Sequence, residues 1–290
     1  MDYHQERFAD NSLLVFKKDK LIALFPANKL NDVIHSHQGL TYGGLVTSEI
    51  VKLKDVIECF KVILSFYKNV GCSAIEIKQL PSIYTVLPND EIQYLLFILK
   101  GDLIRRDTLS VINLEHRLKI SKDRIAGSKR AIKHNIKIRE VHDFNEFWNQ
   151  VLIPNLKMKH HTQPTHSLEE ITLLKLKFPN NIRQFNVYKD GVIVAGTTIF
   201  ETKFVAHSQY ISANEEKNEL GSLDFLHLHL IENVFNDKKC FDFGISNEQQ
   251  GKHINNGLNY WKEGFGARTI TQDFYRINFE NINNLDTVFI

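Results

Sequence analysis

Apolar and polar positions follow two different periods along the chain. In RQFNVYKDGVIVAGTTIF (Arg183 to Phe200), Phe185 and Val187 alternate with polar neighbours, and a second apolar run follows Lys189-Asp190-Gly191. That pattern predicts two antiparallel strands joined by a tight turn. In SLDFLHLHLIENVF the period changes: Leu223, Leu226, Leu230 and Val234 fall at i, i+3, i+7 and i+11. This spacing predicts an amphipathic helix with Ser222 as its N-cap behind Gly221, and with His227 and His229 on its surface. Three further helices are predicted over KDRIAGSKRAIKHNI, DFNEFWNQVLI and SLEEITLLKLKF. The first is basic, and Arg130, Lys133 and Lys137 share a face if it runs through the whole stretch.

The periods repeat. LLVFKKDKLIALF and RQFNVYKDGVIVAGTTIF each read as strand, Lys-Asp turn, strand; His35-Ser36 and His207-Ser208 each sit in a third strand. A helix and another strand (SAIEI, CFDFGI) complete each copy, at an offset of about 170 residues, as in a duplicated domain. Strands, helix and strand in this order predict an α+β sheet domain. The expected division is residues 1–120 and 121–290, with the basic helix opening the second domain.

Composition narrows the function classes. With 290 residues and 43% hydrophobic content, the chain has material for two cores. A formal net charge of +2 argues against bulk nucleic-acid binding. The three cysteines form no C-x-x-C pair, so neither a disulfide framework nor a zinc knuckle is indicated. His160, His161 and His166 cluster but lack tight zinc-ligand spacing, and no metal is expected. MDYHQERFADN lacks the build of a signal peptide, and no apolar run is long enough to span a bilayer. The expectation is a cytoplasmic protein, with room for a homo-oligomer.

PTHSLEEI, AHSQYIS, LGSLDFL, FDFGISNE and NNGLNYWKEGFGAR (Asn255 to Arg268) together resemble the GNAT acyltransferases of the FemAB-like branch, including bacterial nucleotide-sugar N-acyltransferases. The resemblance covers most of residues 155–270; the first half matches only in outline. It implies an α+β fold of two GNAT-like domains, each a mostly antiparallel sheet flanked by helices. It also implies transfer of an acyl group from acyl-CoA to an amine, such as that of a nucleotide-linked amino sugar for surface polysaccharide. Two departures stand out: the pyrophosphate loop is reduced to Gly221, and no long coiled-coil arm of the tRNA-dependent Fem proteins appears.

Acyl transfer to an amine needs a held carrier, a neutral amine and donors for the oxyanion. His207, Asp242 and His166 are the candidate catalytic residues: imidazole takes a proton near neutrality, and Asp242 alternates with Phe241 and Phe243 toward a prospective cleft face. His207 and Gln209 share a strand face, with Tyr210 on the other. Gln209, Tyr210, Ser246, Asn247, Glu248, His253, Asn256 and Lys262 are candidate substrate contacts, joined by His161 on a loop expected to link the domains. The polar loop after CFDFGI is equally an ordinary set of Asn turns. Ser212, Gly221, Ser222, Arg130 and Arg268 are the candidate contacts to CoA, at a strand end, a helix N-terminus and two cationic side chains. Two other functions stay open: aminoacyl-tRNA-dependent transfer to a peptidoglycan bridge, which alone would bring in nucleic acid, and non-catalytic binding of a sugar nucleotide or partner.

Overall fold

The structure is a computed structural model describing residues 7–290; residues 1–6, part of the polar N-terminal stretch, lie outside the described residues. The chain forms two compact units. One contains the chain up to Asp107 together with Thr271–Ile290, and the other contains Thr108–Ile270. This differs from a division at residue 120, because the last strand returns to the first unit.

The first unit begins with β1 (Leu13–Lys17) and β2 (Lys20–Phe25), joined through Lys18 and Asp19, both with positive φ. Short strands β3 (Asn28–Leu30), β4 (Val33–His35) and β5 (Val46–Thr47) follow, then α1 (Leu53–Asn69), β6 (Ala74–Lys78), α2 (Glu91–Ile98) and the start of β7 (Asp102–Asn113). The sequence pattern places three strands of the first repeat in succession, and the structure splits them. β1, β2 and β5 form their own small sheet, whereas β3, β4 and β6 belong to the main one. Pro26 follows β2 directly and has no N–H to extend the ladder. On α1, Val56, Phe60, Ile63, Leu64 and Tyr67 line one face and fill the core beside Ile75 and Ile77 of β6.

The second unit contains α3 (Lys122–Lys133), β8 (Lys137–Val141), a π-helical stretch at Phe147–Leu152 running into α4 (Ile153–His160), and α5 (Leu168–Lys177). The core strands are β9 (Ile182–Lys189), β10 (Val192–Glu201) and β11 (Val205–Ala213). Next come α6 (Lys217–Leu220), α7 (Ser222–His229) with a π-helical continuation to Val234, and β12 (Cys240–Ile245). A small ribbon of β13 (Asn247–Glu248) and β14 (His253–Ile254), then α8 (Asn256–Glu263) and β15 (Arg268–Asn278), complete the elements. Strand order in this unit is β7-β12-β11-β10-β9-β8, and β11-β12 is its parallel pair. The hairpin turn at Asp190 and Gly191 has positive φ at both positions, as the sequence pattern requires. Ser167 caps α5 in a full capping box with Glu170.

Three local expectations change. Gly221, in left-handed conformation, is the N-cap of α7, and Ser222 is its first residue. Lys137 opens β8, because α3 ends at Lys133, so it shares no helix face with Arg130. His227 is fully buried, with ring centroids of Phe243, Trp261 and Phe265 at 5.4, 5.0 and 6.1 Å. No described helix is long and apolar enough to cross a membrane.

Candidate active site

Two neighbouring strands part company in the second unit, and the parting makes a cleft. β11 and β12 pair in parallel at Val205–Cys240, Ala206–Phe241 and His207–Asp242, and no further. The cause is local. Asp242 Oδ1 accepts the Gly244 N–H at 2.7 Å, and Gly244 sits at φ +68°, a conformation that favours glycine. The ladder to β7 on the other edge shifts register between Asp242 and Ile245, so β12 carries a bulge there and bends. Asp242 Oδ2 meets His207 Nδ1 at 2.9 Å, tying the two strands at their last paired position. His207 lies close beneath Gly244, where an added Cβ would come within 3.3 Å of its ring.

Beyond this pin lies a cleft of about 910 Å³, lined by β11, β12, α3, α7 and α8. Gln209, Ser246 and Lys262 all line it. Gln209 Oε1 and Ser246 Oγ are buried and have no hydrogen-bond partner among the described residues, which is uncommon and points to a ligand. Gln209 is the extra residue where the β10–β11 register shifts, since Thr198 pairs with Tyr210 and Ile199 with Ser208. Lys262 is 2% exposed; its Nζ donates to the Gly244 carbonyl at 3.0 Å and the Ile245 carbonyl at 2.6 Å. Burial lowers its pKa to about 8, partly offset by the Asp242 carboxylate. The splay therefore leaves strand carbonyls unpaired and sets an ammonium against them.

The cleft wall is built by charge and close packing. Asp224 accepts from Arg124 at 2.7 Å and from Trp261 Nε1 at 2.8 Å, while burial raises its pKa. Arg130, Lys159 and Lys217 also line the cleft; burial and the neighbouring Lys159 lower the pKa of Lys217.

The other sequence candidates distribute unevenly. His207 and Asp242 come together, but neither lines the cleft; the bulge turns Phe243 to it instead. His166 is not with them: its Nδ1 lies 2.6 Å from the Tyr210 hydroxyl, beside Trp148. Its loop lies wholly inside the second unit, so it joins no domains, and His161 there is exposed in left-handed conformation. Asn247, Glu248 and Ser212 line the cleft, yet their polar atoms have partners within the chain. Asn247 Oδ1 accepts from the Thr108 N–H and hydroxyl, Glu248 accepts from Asn255, and Ser212 Oγ accepts from Asn155. Asn255 caps α8, so the turn reading of the Asn-rich loop accounts for it. His253, Asn256 and Arg268 are exposed and outside the cleft lining.

Leu223 and Asp224 in the first turn of α7 line the cleft, whereas Gly221 and Ser222 do not. Both are buried, and α3 packs so closely that a Cβ on Gly221 would lie 2.0 Å from the Gly127 carbonyl oxygen. Asp224 and Trp261 escaped the sequence reading. Their signal was the Gly127/Gly221 pair, visible only once the two helices are known to cross.

No known family pattern and no curated protein matches the sequence. Solved structures do match the fold. FemX aligns with a TM-score of 0.64 and 11% identity over 98% of this chain and 92% of that one. The C-terminal domain of a protein described as a lysylphosphatidylglycerol synthetase from Agrobacterium fabrum gives 0.62 and 12%, over 96% and 89%. A tandem GNAT protein from the clavulanic acid biosynthesis pathway gives 0.50 and 9%, over 94% and 85%. The fold is therefore α+β, of the doubled GNAT type that the sequence resemblance implies.

Proposed function

We propose that the chain is an acyltransferase that moves an aminoacyl group from tRNA to an amine, with Lys262 holding the oxyanion. The observation that carries this reading is the cleft lining: a buried ammonium and two buried polar atoms that have no partner among the described residues, where two parallel strands stop pairing. In such a cleft the amine attacks the acyl carbonyl, a C–N bond forms, and the C–O bond to the tRNA 3′-oxygen breaks. The Lys262 ammonium, with two N–H groups held by strand carbonyls, offers its third to the carbonyl oxygen as charge develops. Gln209 Oε1 accepts a hydrogen bond from the attacking amine and orients its lone pair. The leaving 3′-oxygen gains one proton, and the amine sheds one. His207 and Asp242 act as positioning residues, fixing where the strands part.

The carrier is chosen on two grounds. Arg130, Lys159 and Lys217 give the cleft a cationic rim that suits a phosphorylated carrier, despite the near-neutral net charge. The segment before α7, ISANEEKNELGS, holds a single glycine, Gly221, where a CoA pyrophosphate loop would be Gly-rich, which favours a charged tRNA end over acyl-CoA. The likeness to FemX and to a lysylphosphatidylglycerol synthetase domain, whose product carries a lysyl group, supports the same choice. An amino sugar stays the acceptor class suggested by the sequence resemblance.

Thermal unfolding in the presence of charged tRNA, uncharged tRNA, acetyl-CoA and longer acyl-CoAs tests the carrier. At about a hundred times its dissociation constant, the true donor adds roughly 2.7 kcal/mol to stability. A larger midpoint shift with charged than with uncharged tRNA is expected. A shift with acyl-CoA alone overturns the choice of carrier, and no shift with any of them overturns the transferase reading. With the responding donor, Lys262→Met is expected to lower the transfer rate by about 10²–10³. The wild-type rate is expected to fall as pH rises through about 8, where the ammonium loses its proton.

A further inference from the structure

The duplication reaches the atoms of the strand pin. In the first unit β4 and β6 pair in parallel at Val33–Ala74, Ile34–Ile75 and His35–Glu76. In the second unit β11 and β12 pair over three positions and stop at His207–Asp242. Both ladders thus end on a histidine opposite a carboxylate, with His35 Nδ1 at 3.3 Å from Glu76. After that position β4 leaves the ladder here too: the Lys78 N–H goes to the Ser36 hydroxyl, and residues 37–42 loop out before Gly43 bridges to Gln79.

A smaller cleft of about 270 Å³ opens beside this second pin, within the first unit. Its walls differ in chemistry from those of the large cleft. Lys78 contributes a donor, Glu76 an acceptor and His35 a ring edge, and Ile104 and Phe274 contribute apolar surface. Lys78 Nζ donates to the Leu40 carbonyl at 2.6 Å, which fixes the ammonium and leaves it two further N–H groups. Of the nearby ions among the described residues, Glu76 is matched by Arg276 at 2.9 Å and Asp107 by Arg105 at 2.7 Å, which leaves the charge of Lys78. Arg105 stacks 4.5 Å from the Phe274 centroid and holds that ring in place.

We propose that this cleft is a second binding site, for a small carboxylate with a flat or apolar body of about amino-acid size. The carboxylate meets Lys78, and the body lies against the His35 ring, Phe274 and Ile104. One unit then keeps the splay that acts on a large carrier, and the other uses the same splay to hold a small ligand. The site stands independently of the reaction assigned to the large cleft.

The test is a titration of the full chain, with histidine rings labelled for NMR and the His35 signal assigned through His35→Gln. The probes are phenylacetate and its uncharged amide, phenylacetamide. A saturable shift of the His35 ring is expected with phenylacetate and not with phenylacetamide, and Lys78→Met is expected to weaken it about tenfold or more. No saturable shift, or equal binding of the amide, overturns the proposal. So does undiminished binding by a Lys78→Met chain that melts like wild type; should that variant not fold, the acid–amide comparison on the unaltered chain still decides.

Discussion

At the scale of single residues, His227 shows how far burial can depart from a helix pattern. Its Nδ1 lies 2.9 Å from the Leu223 carbonyl, its Nε2 has no partner among the described residues, and aromatic rings surround it. Burial lowers its pKa to about 4, so the ring is neutral in the folded protein. In the unfolded chain it titrates near the ordinary histidine value of 6.5, and between these two values the unfolded state binds the extra proton. This contribution is complete above about pH 6.5 and is lost as pH falls toward 4, amounting to about 3 kcal/mol. Urea unfolding at pH 7 and pH 4 should show wild type losing about that much more than His227→Leu. Equal losses would place the titration elsewhere. The sequence made Gln209, Ser246 and Lys262 visible as polar groups near strand and helix ends. It could not show that Asn247 and Ser212 have partners within the chain, because those partners, Thr108 and Asn155, are far away in sequence.

At the scale of elements, period was a good guide and contact was not. Alternation located β9 and β10, and the 3.6-residue spacing located α7, because each follows from which side chains must face the core. The π-helical stretches at Phe147–Leu152 and Leu230–Val234 left no mark, since a one-residue widening hardly disturbs an apolar stripe. The crossing of α3 and α7 was equally hidden, yet it decides which residue can stand at the N-terminus of α7. Gly221 meets both demands there, a φ of +64° and no side chain toward Gly127. Gly221→Ala is expected to destabilise the fold by about 3 kcal/mol or more, from overpacking and the left-handed backbone together. Chemical denaturation measures it; a change below about 1 kcal/mol would mean the helices separate freely.

At the scale of the whole molecule, the repeat was legible and its boundary was not. Sequence similarity follows ancestry, whereas the boundary follows contacts, and the end of the chain makes its contacts with the beginning. Within the first unit β15 pairs with β6, and Ile277, Phe279, Ile282 and Leu285 are buried in the core around α1. A chain ending at Ile270 should therefore lose protease protection within residues 7–107 while Thr108–Ile270 stays protected. If residues 7–107 stayed equally protected, the division at residue 120 would be the better description.

The strand pin has a consequence for how such a protein can change. One carboxylate, Asp242, both anchors the ladder through His207 and bends the strand through Gly244. The aperture of the cleft and the cohesion of the sheet are thus written in the same two hydrogen bonds. Adaptation to a bulkier or slimmer substrate cannot proceed by adjusting that strand gradually; it has to come from the helices around the rim. Variation among descendants of this chain should therefore concentrate in α3, α6 and α8, around a fixed His–Asp–Gly hinge.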